Sequence, residues 1–578
     1  MVLRRLLILG RAAARLSARM WAYQVKRALR NRLCRIAPTI YARHIARVAL
    51  QKVPPLSRLQ PSELAASVAD FYLDEYAADV AYSAAGRITL FGRTVDFGDV
   101  SRIDWHQTIP DETDLHLWRM KLAHMGFLAP MIASGSPEYH WAVQRAIESF
   151  RLHSRFDEPG CFSSYWFPYS VSHRVLAVLS SLVVGISRHP LSADLVRQLA
   201  EFLRWNAAFV LANIEHELNN NHVERNLAAL CFYFEFSDRP GAGLCAQVDA
   251  EVRRIMRDTI LPDGTQIERS SMYQGLSVMA LKIFANATVL REETRATASA
   301  LYAKASRSWQ TMSHPDGEIA LFNDSWCGEV PSPVRILRAR PLRQCELLPD
   351  AGYVRLDYGP YFALFDAGPI GPSWNPAHGH ADFLSVELDV LGIRFVVDPG
   401  TYQYSTGARR TRERAAQSHN GPCWQGVEPV EYWGCFKVGR QAIAELGKVE
   451  CSERDARASG ALELQEGLVR RELRVSAEGI RVADSWRRRS AGAQLSVTIQ
   501  GEWLLQHWTP RSASFSRDGV QVRLDVAAGA LVDAREGDWA CRYLESRPAT
   551  VLIIAPEYSG AEDASATWSV CVENAAVV

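Results

Sequence analysis

The sequence is short of several things at once. Its eleven cysteines are an odd number, scattered from Cys34 to Cys571 with no CxxC pair, which excludes the dense disulfide framework of a small secreted scaffold. There is almost no net charge, 65 Lys+Arg against 64 Asp+Glu, so no global field draws in nucleic acid. Lysine is scarce: seven of the 65 cations. The rest are arginines, whose planar guanidinium suits carboxylates. No apolar run near the start is long enough to cross a membrane, because Leu6–Leu9 is short and Arg11, Arg15 and Arg19 interrupt its continuation. The same stretch lacks the longer apolar segment of a secretory signal. The expected location is therefore cytoplasmic or membrane-peripheral, with the periplasm as the alternative. Finally, no acid precedes Glu63, although fourteen Lys or Arg residues do.

What is present is a globular chain of 578 residues, 48% hydrophobic and 22% charged, long enough for about four domain-sized units. Residues 1–60 form a basic N-terminal extension. Met1–Leu33 alternates Leu, Ala, Trp and Tyr with Arg, as a basic amphipathic helix would. Two readings stand: peripheral attachment to an anionic membrane surface, or a solvated basic extension. From Glu63 to about Ser313 apolar residues recur at three- and four-residue spacing, as in Leu195–Ile214, Val248–Ile260 and Leu276–Val289. Breaks at Pro110, Pro137, Pro190, Pro240-Gly241 and Asp263-Gly264 separate about ten helices, a bundle, solenoid or toroid of helical hairpins. Beyond Pro341 the pattern becomes short strands, including Tyr353–Asp357, Tyr361–Asp366, Leu384–Leu388, Ile393–Val397, Leu468–Val475, Ile480–Asp484 and Val551–Ile554. Strands with no intervening helices predict an antiparallel sandwich. Arg335–Leu347 is the crossover.

Three constellations carry chemistry. The first runs Asn375-Pro-Ala-His378-Gly-His380-Ala-Asp382, then Asp398-Pro-Gly-Thr-Tyr402, then Ser418-His419-Asn420. In extended chain His378 and His380 face one side, and imidazoles grouped with carboxylates suit acid/base work or metal ligation. The alternative is a hydrogen-bonded cluster that orders loops. The second is Asn219-Asn-Asn-His222 with Glu224, Arg225 and Asn226. An Asn here caps a helix starting near Val223, which leaves His222 unexplained. The third is Asp263-Gly-Thr-Gln-Ile-Glu268-Arg-Ser-Ser-Met-Tyr273, a turn leading into a helix. Among the aromatics of the helical half, Trp166 and Tyr169 are the expected members of a substrate cleft, with Arg174 as a partner for a carboxylate. The competing reading is core packing and a structural salt bridge.

Taken in order, these motifs resemble the heparinase II/III-like polysaccharide lyases: Asn-Asn-His at Asn220–His222, Asp-Gly…Glu…Tyr at Asp263–Tyr273, His-x-His-Ala-Asp at His378–Asp382, Asp-Pro-Gly-Thr-Tyr at Asp398–Tyr402 and His-Asn at His419-Asn420. The resemblance covers roughly residues 60–560 and implies an α+β multidomain fold. Residues 61–340 would be an incomplete α/α toroid, and 341–578 an antiparallel β-sandwich domain. It implies β-elimination on a uronic-acid glycan, an acidic polysaccharide; the lack of a secretion signal points to capsule or exopolysaccharide metabolism as the setting. Asn221 and His222 would hydrogen-bond the carboxylate, Tyr273 would be the acid and in some substrates the base, and His378 the base for a C5 proton on the opposite face. Tyr402 would help position substrate. A structural zinc would map onto His380, Asp398 and His419. Many relatives carry His after the catalytic Tyr, where this chain has Gln274. Two alternatives are a non-catalytic glycan-binding or biosynthesis protein on the same fold, and a glycoside hydrolase. A hydrolase needs two carboxylates across the bond, for which Glu268 and Asp324 are the available pair.

Overall fold

The computed structural model describes residues 10–11, 13–337, 342–560 and 562–574. The apolar run Leu6–Leu9 and residues 338–341 of the expected crossover lie outside them. Helices occupy the chain to Thr311, and an antiparallel sheet region follows from Cys345. This is the expected order of a helical toroid followed by a β-sandwich. By compactness the chain divides into a helical unit, residues 16–260 and 276–303, and a sheet unit, residues 1–15, 261–275 and 304–578.

In the helical unit, polar caps start the helices where the sequence places Ser or Asn. Ser62 accepts from the amide of Ala65 for Glu63–Tyr76, Ser192 from that of Leu195 for Ala193–Ala212, and Asn220 from that of His222 for Asn221–Glu235. The helix Pro168–Arg188 is buried along nearly its whole length. Glu63–Tyr76, Leu117–His124, Ala129–Ala133, Ala193–Ala212 and Asn221–Glu235 all pack on it. A hairpin, Arg87–Leu90 with Arg93–Asp96, interrupts the helices; both turn residues, Phe91 and Gly92, have positive φ, the geometry that matches strand twist. The basic extension is packed down as the helices Ala18–Ile36 and Pro38–His44. Met20, Cys34 and Tyr41 are buried beneath them.

The sheet unit holds two nine-stranded antiparallel sheets, each an eight-strand path with one short strand off it, Glu557–Tyr558 on Ala564–Asn574 in the first and Pro422–Trp424 on Ala493–Gln500 in the second. One runs Ala444–Cys451, Asp455–Glu463, Leu468–Ser476, Gly479–Arg487, Ala564–Asn574, Val520–Ala528, Ser512–Arg517 and Leu504–Thr509. The other runs Ala530–Arg542, Glu545–Ala555, Ala493–Gln500, Ile393–Val396, Val386–Val390, Tyr361–Asp366, Tyr353–Tyr358 and Cys345–Leu348. Burial alternates along strands of the first, as in Val469, Arg471, Leu473 and Val475, so one face points inward. Inward residues of both sheets, such as Leu473 and Val482 of the first and Val386 and Val497 of the second, share one core. A disulfide joins Cys345 to Cys451, each on an edge strand, and the other nine cysteines are free.

One inward residue is a charge. Arg471 forms a two-pronged pair with Asp484 at 2.8 and 2.9 Å, and both side chains are fully buried. The same guanidinium donates to the carbonyls of Leu384 and Asn420, which fixes the loop carrying His419 to the sandwich interior. Asp484→Ala strands this cation, and removing one partner of a buried pair costs about 3–5 kcal/mol. The expected outcome is a matching loss in denaturant unfolding of the full chain; a loss below about 1 kcal/mol contradicts the assignment.

Candidate active site

In the sheet unit, the His378 loop, the Asp324 loop and the helix Ala408–Glu413 meet at one carboxylate. Asp324 has no exposed surface. Its Oδ2 accepts from Nδ1 of His378 at 2.9 Å and its Oδ1 from Nε2 of His380 at 2.9 Å. Arg410 grips both oxygens, at 2.5 and 2.8 Å, and Thr401 donates to Oδ1 at 3.3 Å. Burial alone would raise this carboxyl; Arg410 and the two imidazoles reverse that and hold it well below the usual carboxylate range. His378 and His380 thus do face one group, as their spacing suggests. Asp382 instead accepts the amide of Asn323 at 2.7 Å. Asn323 sits at φ 58°, and its side chain ties the amide of His380 to the carbonyl of Arg269.

Tyr273 stands in the first turn of Ser271–Asn286, its amide held by Ser270. Its ring lies against that of His378, with centroids 4.4 Å apart, and its hydroxyl meets that of Tyr404 at 3.1 Å. Tyr404 and Phe436 close around His378 at 5.9 and 5.3 Å. Burial pushes the Tyr404 phenol well above its ordinary value, so it stays neutral. With Nδ1–H given to Asp324, the neutral tautomer of His378 carries its lone pair on Nε2, 3.9 Å from Glu268 Oε1. The backbone allows this because the segment is glycine-dependent: a Cβ on Gly379 would collide with the carbonyl of Ile370, and one on Gly400, at φ 66°, with the carbonyl of Ala540. Arg414 donates to the carbonyls of Ala377, Gly379 and Cys435 beneath the loop.

The expected zinc residues form a second buried layer. His419 gives Nδ1–H to Asp398 at 2.8 Å, and its ring lies 5.4 Å from that of His380. Two nitrogens are left buried without a hydrogen-bond partner, Nδ1 of His380 and Nε2 of His419. Each is the lone-pair nitrogen when the opposite N–H is donated to a carboxylate, the donor chemistry a zinc ion takes up. Asp398 is already turned to His419, and among the described residues no three His, Cys, Asp or Glu side chains converge as a metal-binding group. Burial lowers His380 to about 3 and raises Asp398 to about 6.

In the helical unit, Asn221 is the buried first residue of its helix. His222 is partly exposed and pairs through Nδ1 with Glu215 Oε1 at 3.2 Å. Tyr169 lies 4.5 Å and Phe167 5.4 Å from its ring, so Tyr169 does share surroundings with His222. Phe167 and Glu215 also line a cavity of about 580 Å³, together with Lys26, Arg30, Arg35 and Lys52. Two expectations change. Arg174 is fully buried and donates to the carbonyls of Ala123 and Tyr165 and to Asn206; a guanidinium so enclosed has nothing left for a uronate. Trp166 is wedged among Phe150, Phe156 and Phe209 with its indole N–H on the Ser154 carbonyl. Only an edge reaches a groove beside Trp205. Tyr402 is covered by Arg409, 3.6 Å from its ring centroid. Tyr404, Asp324 and Arg410 were not singled out as lyase residues. Only the two-residue offset of Tyr404 from Tyr402 hints at one of them.

Residues 340–569 match the model of the heparinase II/III-like C-terminal family, so the chain carries that family's C-terminal domain; the motifs at His378–Asp382, Asp398–Tyr402 and His419-Asn420 fall inside the match, and those at Asn220–His222 and Asp263–Tyr273 lie before it. Among solved structures it is similar to a heparinase III, at 16% identity and TM-score 0.64 over 90% of this chain and 87% of that one. It is also similar to a heparan sulfate lyase from Pedobacter heparinus, at 15% identity and TM-score 0.57 over 86% and 83%. At these identities the likeness is one of fold. No curated protein matches the chain.

Gln274, where the resemblance leads one to expect His, is explained locally. It is fully buried, takes the amide of Gln266 on Oε1, and donates to the carbonyls of Gly264 and Ala305. It staples the turn that leads to Tyr273. Gln274→Ala leaves those groups unpaired, and each buried orphan costs roughly 1–3 kcal/mol. A drop of at least that size in unfolding free energy is expected; an unchanged transition overturns the staple.

Proposed function

We propose that the protein is a polysaccharide lyase that cleaves a uronic-acid-containing glycan by β-elimination, in capsule or exopolysaccharide metabolism. The observation that carries this reading is the phenol–imidazole contact, Tyr273 against His378 at 4.4 Å. Elimination requires a base for the C5 proton, an acid for the 4-linked oxygen, and donors for the charge that spreads into the carboxylate. A phenol and an imidazole side by side supply both proton transfers. Tyr273 protonates the departing oxygen and, where the stereochemistry allows, first removes the C5 proton. His378, with its Nε2 lone pair, is the base for a proton on the opposite face. Asn221 and His222 hydrogen-bond the carboxylate. The basic lining of the helical unit's cavity suits an acidic polymer. A hydrolase reading fares worse, because Asp324 is bound by Arg410 and two imidazoles and so has no proton to offer as a general acid.

We also propose that a structural zinc is held by His380, Asp398 and His419, with Asp398 turned from His419 Nδ1 toward the two unpartnered ring nitrogens. When bound it would cross-link the loops of the sheet unit and not activate water. Elemental analysis of the purified protein is expected to show near-stoichiometric zinc, diminished in His380→Ala together with a lower Tm. Metal-free protein whose Tm does not respond to added zinc removes the assignment.

The catalytic reading is tested with a panel of acidic polysaccharides, following the ultraviolet absorbance of the unsaturated uronate. Tyr273→Phe is expected to lower kcat by roughly 10²-fold or more with little change in KM, and His222→Ala to slow turnover as well. Wild-type rates from Tyr273→Phe sink the role of the phenol. Binding of a polysaccharide with no unsaturated product from any polymer favours the non-catalytic alternative.

A further inference from the structure

The helix Ala18–Ile36 is held to the helical unit by one face. Met20 and Cys34 are buried. Arg19 pairs with Glu251 at 2.6 Å, Arg27 with Glu217 at 3.2 Å, and Arg30 donates to Asn213 at 2.8 Å. These contacts fix the helix's rotation and turn the opposite face outward. That face carries Val25, Leu29, Leu33 and Ile36. The intervals are four, four and three residues, the spacing of one helical stripe. These four aliphatic side chains are 41–74% exposed, and Ile40, beyond the break at Ala37, is exposed as well. Monomeric soluble surfaces scatter such residues and do not line them up.

The two helices themselves carry charges of one sign only. Lys26, Arg32, Arg35 and Arg43 are exposed on the same two helices, and residues 1–62 contain no Asp or Glu. A second copy of the face would bring the same cations together. A bilayer with anionic headgroups answers both features, offering an apolar interior beneath a layer of negative charge.

We propose that this stripe is a docking surface for an anionic lipid bilayer. The aliphatic side chains enter the boundary between headgroups and acyl chains, and the guanidinium and ammonium groups reach the lipid phosphates. The inference is independent of lyase activity: it concerns where the protein works.

The test is co-sedimentation of the full chain with vesicles of mixed phosphatidylcholine and phosphatidylglycerol, and with vesicles of phosphatidylcholine alone. Partition into the mixed vesicles is expected to be roughly tenfold or more stronger and to weaken as salt is raised. Leu29→Glu/Ile36→Glu is expected to lower it by about tenfold or more with an unchanged Tm, since both positions are exposed. Arg32→Glu/Arg35→Glu is expected to remove the preference for the anionic lipid. Wild-type protein that stays in the supernatant overturns the proposal, as does equal sedimentation of all three proteins. Self-association that Leu29→Glu/Ile36→Glu abolishes, without vesicle binding, assigns the stripe to a copy–copy contact and overturns it too.

Discussion

A single ionised carboxylate, placed where water cannot reach it, organises the sheet unit's site. A charge so buried is unstable unless its surroundings are built for it. Asp324 obtains that from three separate stretches of chain: the imidazoles of the His378 loop, the hydroxyl of Thr401, and the fork of Arg410. Each partner satisfies the acid and is oriented by it. His378 is the clearest case, because the N–H it gives to Asp324 leaves Nε2 as the lone-pair nitrogen of its neutral tautomer. Such networks are stiff, since no member can move without leaving another unpaired.

Behind that acid lies a second device of the same kind. Arg471 and Asp484 sit inside the sandwich, and the guanidinium reaches the carbonyl of Asn420. Asn420 also bonds the carbonyls of Val386 and Val397 and the amide of Thr498, stitching strands of the second sheet. The loop that presents His419 is therefore positioned by the sandwich interior. The chemistry at the edge of the sheets inherits its geometry from their core.

Much of this was legible from the residues. Strands such as Tyr361–Asp366 and Leu468–Ser476 announce themselves by period and by their Gly or Asp boundaries. The strand expected at Leu384–Leu388 instead begins at Val386, because Leu384 has φ 59° and a turn closes from Ser385 to Asp382. That is a local backbone event that hydrophobic periodicity does not encode. The motif residues Tyr273 and His378 were visible in the sequence, whereas Arg410 was not and Asp324 was noted only as a hydrolase carboxylate, since neither has a neighbour in sequence that marks its place in this cluster. Arg174 was misread for a related reason: a lone arginine in an apolar helix looks available until the carbonyls that consume it are seen. Three-dimensional convergence of isolated polar residues is the part that one-dimensional spacing leaves out.

The glycines of the recognisable segment have an evolutionary corollary. Gly379 and Gly400 are required by the close approach of Ile370 and Ala540, not by any reacting group. Part of the signature by which such chains are detected therefore records how loops nest, and selection for folding alone would preserve it. A descendant that had abandoned its reaction would keep these letters for as long as it kept its shape. The Tyr273 hydroxyl would be freer to drift, which makes the identity of that residue a better guide to retained chemistry in any lineage than the glycine-containing motifs around it.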